Sequence, residues 1–104
     1  MHAAALSMNN ETKVVCDILQ LLKTHGAEGK VVDDSDTISI ALERRSGWKL
    51  TSVILSRKAL QGLIEDPSGS VKIDYLKKDL IRSAVHRSEY RYPRVTRRRA
   101  LRSL

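Results

Sequence analysis

Phenylalanine is absent from this chain, and its 104 residues hold one Trp, three Tyr, one Cys and two Pro. With so few rings, Leu, Ile and Val must fill the core, and nothing is available to line a slot for an aromatic cofactor. No cofactor is expected. The lone Cys16 excludes an intrachain disulfide and any zinc site built on paired thiolates, which fits a reducing, cytoplasmic setting. No apolar run approaches the roughly 20 residues that span a bilayer, so no membrane partner is expected. The opening "MHAAALS" lacks the charged and apolar regions of a signal peptide. Met8 opens "MNNETK", which reads as a natural start, so residues 1–8 are expected to be a disordered N-terminal extension.

Catalytic groupings are scarce as well. His2, His25 and His86 stand far apart, and Cys16 has no base within a helical turn or two to activate it. Cys16 is expected to be a half-buried packing residue. The acidic run "DDSD", Asp33 to Asp36, lacks the further oxygens and distal glutamate of a calcium loop and reads as a turn. The five glycines are scattered, so there is no phosphate-cradling loop. Neither an enzyme nor a metal site is expected.

What the chain does have is charge in one place. Residues 1–73 carry nine basic and nine acidic side chains, which cancel, whereas residues 74–104 carry ten basic and three acidic. The whole net charge of +7 therefore sits in the last third, an asymmetry that suits an acidic partner.

The order of elements predicts one α+β domain over 9–88, in the order α-β-β-β-α-(β)-α. Val15, Ile18, Leu19 and Leu22 recur at helical spacing, widened by Val14 and Leu21, with Asn9 or Asn10 as cap and His25-Gly26 as stop. "KVV", "TISIALER" and "WKLTSVILS" read as a three-stranded antiparallel sheet, with Ile38, Ile40 and Leu42 on one face. In the third strand Trp48, Leu50, Ser52 and Ile54 fall on one side. Val53 and Leu55 then point to the outer face, where a helix or second subunit would cover them. Ser56 caps a second helix, "RKALQGLIE", ended by "DPSG". "VKI" offers a short fourth strand, and Asp74 caps a third helix running from Tyr75 to about Ser88.

Along that third helix Tyr75, Lys78, Arg82 and His86 share one face, with Asp79 beside them as partial neutraliser. An arginine-rich tail, 89–104, continues it. Arg87, just before the tail, is followed by Arg91, Arg94, Arg97, Arg98, Arg99 and Arg102, with Tyr90 and Tyr92 interleaved and Pro93 holding the chain extended. Guanidinium forks suit phosphate, and tyrosine rings can stack on unpaired bases. Helix-turn-helix geometry is excluded, because "DPSGSVKI" is too long for its turn. "VILSRKALQGL" followed by "DLIRSAVHR" resembles the strand-to-helix junction and second helix of ribbon-helix-helix proteins. The likeness covers about forty residues and rests on degenerate positions; two strands precede the one that such proteins place first, and about five extra residues sit in the loop between the helices. The chain is not assigned to that family.

The expectation is a small non-enzymatic protein that binds DNA or RNA through the last helix and the tail. The alternative is a protein-interaction or homodimerising module whose basic tail docks an acidic partner.

Overall fold

The computed structural model describes residues 2–43 and 47–94, with side chains from Asn10 onward. Its elements are α1 (His2–Thr24), β1 (Glu28–Asp33), β2 (Thr37–Glu43), β3 (Ser52–Ser56), α2 (Arg57–Glu65), α3 (Gly69–Ser83) and β4 (Glu89–Tyr92). The α+β class holds, with three helices and an antiparallel β1-β2-β3 meander. A fourth strand is present, but it follows the last helix. β4 adds to the far edge of the meander, parallel to β3. Val71–Ile73, the expected site of that strand, lies inside α3.

Register decides which side chains form the core. β2 and β3 pair so that Ile38 lies opposite Leu55 and Ile40 opposite Val53. Residues directly opposite one another share a face, so all four point inward and are buried. This corrects the outward placement of Val53 and Leu55. The chain from Gly47 to Thr51 is not strand, so counting alternation back to Trp48 gives the wrong parity; Leu50 is buried in that irregular run. All three helices cover the inward face, with α1 against β1, α2 against β2 and β3, and α3 against β4. The opposite face carries Ser39, Ala41, Ser52, Ile54 and Arg91 and has no covering layer among the described residues.

α1 buries Val14, Val15, Ile18 and Leu22, as its periodicity predicts. It begins at His2, so Asn9 and Asn10 lie within it and do not cap it. It stops at Gly26, whose φ of 87° is a left-handed conformation open to glycine at little cost. Ser56 caps α2 as expected, its hydroxyl accepting from Ala59 N–H at 3.3 Å.

The α2–α3 corner explains the early start of α3. The Asp66 carboxylate accepts from Ser68 N–H at 2.8 Å, from the Ser68 hydroxyl at 2.9 Å and from the Lys72 ammonium at 2.6 Å. The Lys72 bond first, then those of Ser68, lower its pKa to about 2. Gly69 is buried directly beneath the Leu63 carbonyl, an approach that only a residue without Cβ permits. At its other end α3 stops at Ser83, before the expected Ser88. Ala84 C=O accepts from Lys49 N–H at 2.8 Å and Leu50 N–H at 3.1 Å, and the chain then turns to start β4.

β3 is therefore flanked on both edges within its own chain, by β2 and β4. A ribbon-helix-helix strand must pair with its counterpart in another subunit, so that architecture is excluded here.

Candidate nucleic-acid interface

The outer face of α3 follows from helical geometry. Leu76, Leu80 and Ser83 turn inward and are buried, which leaves Val71, Tyr75, Lys78 and Arg82 along the solvent side. Tyr75 is 70% exposed and Val71 56%. His86 and Arg87 continue in the turn beyond the helix, both exposed, as is Val85 at 51%. Of the predicted site residues, Tyr75, Lys78 and Arg82 share the exposed side of α3, and His86 and Arg87 are exposed in the segment that follows it. Among the described residues, Lys78, Arg82 and Arg87 take part in no ion pair.

Asp79 forms no ion pair with Lys78 or Arg82. Its carboxylate accepts from the Tyr90 hydroxyl at 3.1 Å and lies 3.6 Å from the Arg94 guanidinium. Tyr90 itself is corrected: it is not a stacking ring in a tail. In β4 it sits opposite Val53 on the inward face, only 1% exposed, among the largest fully buried side chains. Burial, and then the neighbouring Asp79 carboxylate, push its phenol well above the usual tyrosine range. Tyr92, opposite Leu55, is partly buried and packed against the same core.

Arg91 alternates to the other side, on the open sheet face beside Ile54, where it pairs with Glu89 at 3.1 Å. It therefore lies away from the α3 strip. Arg94 is exposed and held near Asp79. Arg97, Arg98, Arg99 and Arg102 lie outside the described residues, as do Arg44 and Arg45.

Sequence reasoning missed Lys49. Its backbone bond to Ala84 carries this exposed lysine to the end of α3 from a segment 35 positions earlier in the chain (84 minus 49). Long-range pairing of this kind leaves no trace in a sequence window. Lys49 thus joins Arg82, His86 and Arg87 at that end of the molecule.

A second polar cluster is structural in character. Arg57, at the start of α2, donates to Glu11 at 2.5 Å, to Asp33 and to the Asp34 carbonyl at 2.8 Å. Gln61 donates to the other Glu11 oxygen at 3.3 Å. The "DDSD" turn is thereby clipped to α1 and α2. Among the described residues no three His, Cys, Asp or Glu side chains form a metal-holding group. Cys16 is exposed and not half-buried, since α1 packs through the Val14, Val15 and Ile18 side. No helix of the described residues is long and apolar enough to cross a membrane.

The chain matches no family model, no curated protein and no solved structure with which it was compared.

Proposed function

We propose that this protein binds nucleic acid, without catalysing a reaction, in a cytoplasmic setting. The observation that supports the reading is the exposed pair Lys78 and Arg82 on α3, with His86 and Arg87 exposed just beyond it, none of them in an ion pair among the described residues, although Asp74 is an exposed carboxylate one turn before Lys78. Lys49 joins these cations at the end of α3. The arginines from Arg97 onward add to the net positive charge of the chain. Phosphates are the ligand groups that such a cationic surface attracts most strongly.

The test compares the full chain with one ending at Arg94, a cut that spares β4 and Tyr90. Both should bind DNA or RNA with affinity that falls as salt rises, the shorter chain more weakly. Absence of any salt-sensitive binding by the full chain refutes the reading.

One observation favours a second reading. Among the described residues Val71, Tyr75 and Val85 are three of the five exposed large hydrophobic residues; Val71 and Tyr75 lie on the outer side of α3 with Lys78 and Arg82, and Val85 just beyond its end. Such a mixture also fits an acidic amphipathic helix of a protein partner. Loss of binding to an acidic partner on Val71→Ser or Val85→Ser, with nucleic-acid binding absent, would favour this second reading.

A further inference from the structure

We infer that the ligand of the α3 strip is the phosphate backbone of a duplex, not a single strand. This inference rests on the nucleic-acid reading above and narrows it. Single-stranded nucleic acid is held mainly by successive bases stacked on aromatic rings, with a cationic groove following the backbone. Here the rings are spent elsewhere. Tyr90 is fully inside the core and hydrogen-bonded to Asp79, while Tyr92 and Trp48 pack against that core. Tyr75 alone remains open, one ring where a stacking track needs several.

The cations have the opposite character. Lys78 and Arg82 stand one helical turn apart, about 6 Å along the axis, on a helix fixed at both ends. Gly69 under the Leu63 carbonyl and the Asp66–Lys72 bond fix its start, and the Lys49 and Leu50 bonds to Ala84 fix its finish. A helix backbone fixed in this way presents its charges at a set spacing, so only the side chains are ordered when it meets another rigid row. A duplex offers one, with a charge every 1.7 Å or so of its axis, whereas a flexible strand must first be ordered. Lys49 comes from a second segment, so the cations do not lie along a single line. That breadth suits a surface with two backbones. Val71 and Val85 then meet sugar edges or base methyl groups beside the phosphates.

Fluorescence anisotropy with the full chain tests this, using labelled duplexes of about 20 base pairs, one DNA and one RNA, and their separate strands, between about 50 and 200 mM salt. At least one duplex should bind about tenfold or more tighter than its own strands, and which duplex does so identifies the source of the backbone. Lys78→Ala with Arg82→Ala should flatten the log–log salt slope on that duplex by about 2 while leaving the tail in place. Tyr75→Ala should leave duplex affinity within about twofold, whereas loss of a stacked base costs roughly 5- to 150-fold. Equal or tighter binding of the strands, or an unchanged slope in the double variant, overturns the duplex inference and leaves the broader reading standing. No salt-sensitive binding to any of the four probes overturns that reading itself.

Discussion

Two glycines, seven residues apart, should respond to the same substitution with opposite signs. Gly62 lies in the interior of α2, and a Cβ added there would meet nothing within 4 Å. Gly69 opens α3, and a Cβ there would sit 3.1 Å from the Leu63 carbonyl carbon and closer still to its oxygen. Alanine in a helix interior is favoured over glycine by about 0.8–1 kcal/mol, so Gly62→Ala should stabilise by roughly that amount. At Gly69 part of the same gain is available, since its φ does not fall in the left-handed region. It is outweighed by the clash, because the neighbour is backbone in the last turn of α2 and cannot rotate away. Relieving it requires α2 and α3 to part, and forced overpacking of this kind costs about 1–3 kcal/mol. The expected net loss for Gly69→Ala is about 1–2 kcal/mol, or a fall of roughly 4–16 °C in Tm for a domain of this size. Urea unfolding followed by Trp48 fluorescence and far-ultraviolet circular dichroism would measure both variants. A Gly69→Ala protein as stable as the parent would show that the helices do not approach as described.

Arg57→Ala should destabilise by about 2–3 kcal/mol, below the range for fully buried pairs because Arg57 keeps a quarter of its side chain exposed. Adding Glu11→Gln should recover part of that loss in a double-mutant cycle, and no recovery would mean that the pair is not coupled. Tyr90 binds its proton more tightly folded than unfolded, so its contribution is complete below pH 10 and is lost as pH rises beyond it. Stability should fall above pH 10 with a slope of up to about 1.4 kcal/mol per pH unit, a component missing from Tyr90→Phe in matched urea titrations. Asp66 behaves in the reverse sense: its stabilisation is present above the ordinary carboxylate pKa and is lost as pH falls toward about 2. Asp66→Asn should flatten the acid limb of the stability curve between those limits, and an unaltered limb would refute the assignment.

Much of the fold can be read from local pattern. α2 announces itself through the Ser56 cap and a clear apolar side, and β2 through the alternation of Ile38 and Ile40. The errors arise where long-range contacts override local signals. Asp74 looks like a cap, yet α3 begins five residues earlier because Asp66, Ser68 and Gly69 build a corner with α2. "VKI" has the alternation of a strand but only three residues, and as helix it sends Val71 outward while Ile73 packs against the core. The end of α3 is set by Lys49 and Leu50, which no window around Ser83 contains.

The segment from Glu89 to Tyr92 shows how composition can hide structure. Arginine density marks it as tail, and its two tyrosines then look like free stacking rings. Yet "EYRY" is also a perfect two-residue alternation of charged and aromatic side chains, the pattern of a strand with one buried face. In β4 the tyrosines face inward, and Glu89 and Arg91 face out and pair with each other. This assignment moves more than two rings. With Tyr90 in the core, its hydroxyl requires an acceptor, and Asp79 supplies it. Asp79 is thereby oriented toward Tyr90 and Arg94 and forms no ion pair with Lys78 or Arg82, the cations beside it on α3. Completing the sheet thus takes two of the three expected tyrosines inward and orients Asp79 toward Tyr90 and Arg94. A surface so composed favours phosphates over bases, which is why the choice between duplex and single strand turns on the burial of Tyr90.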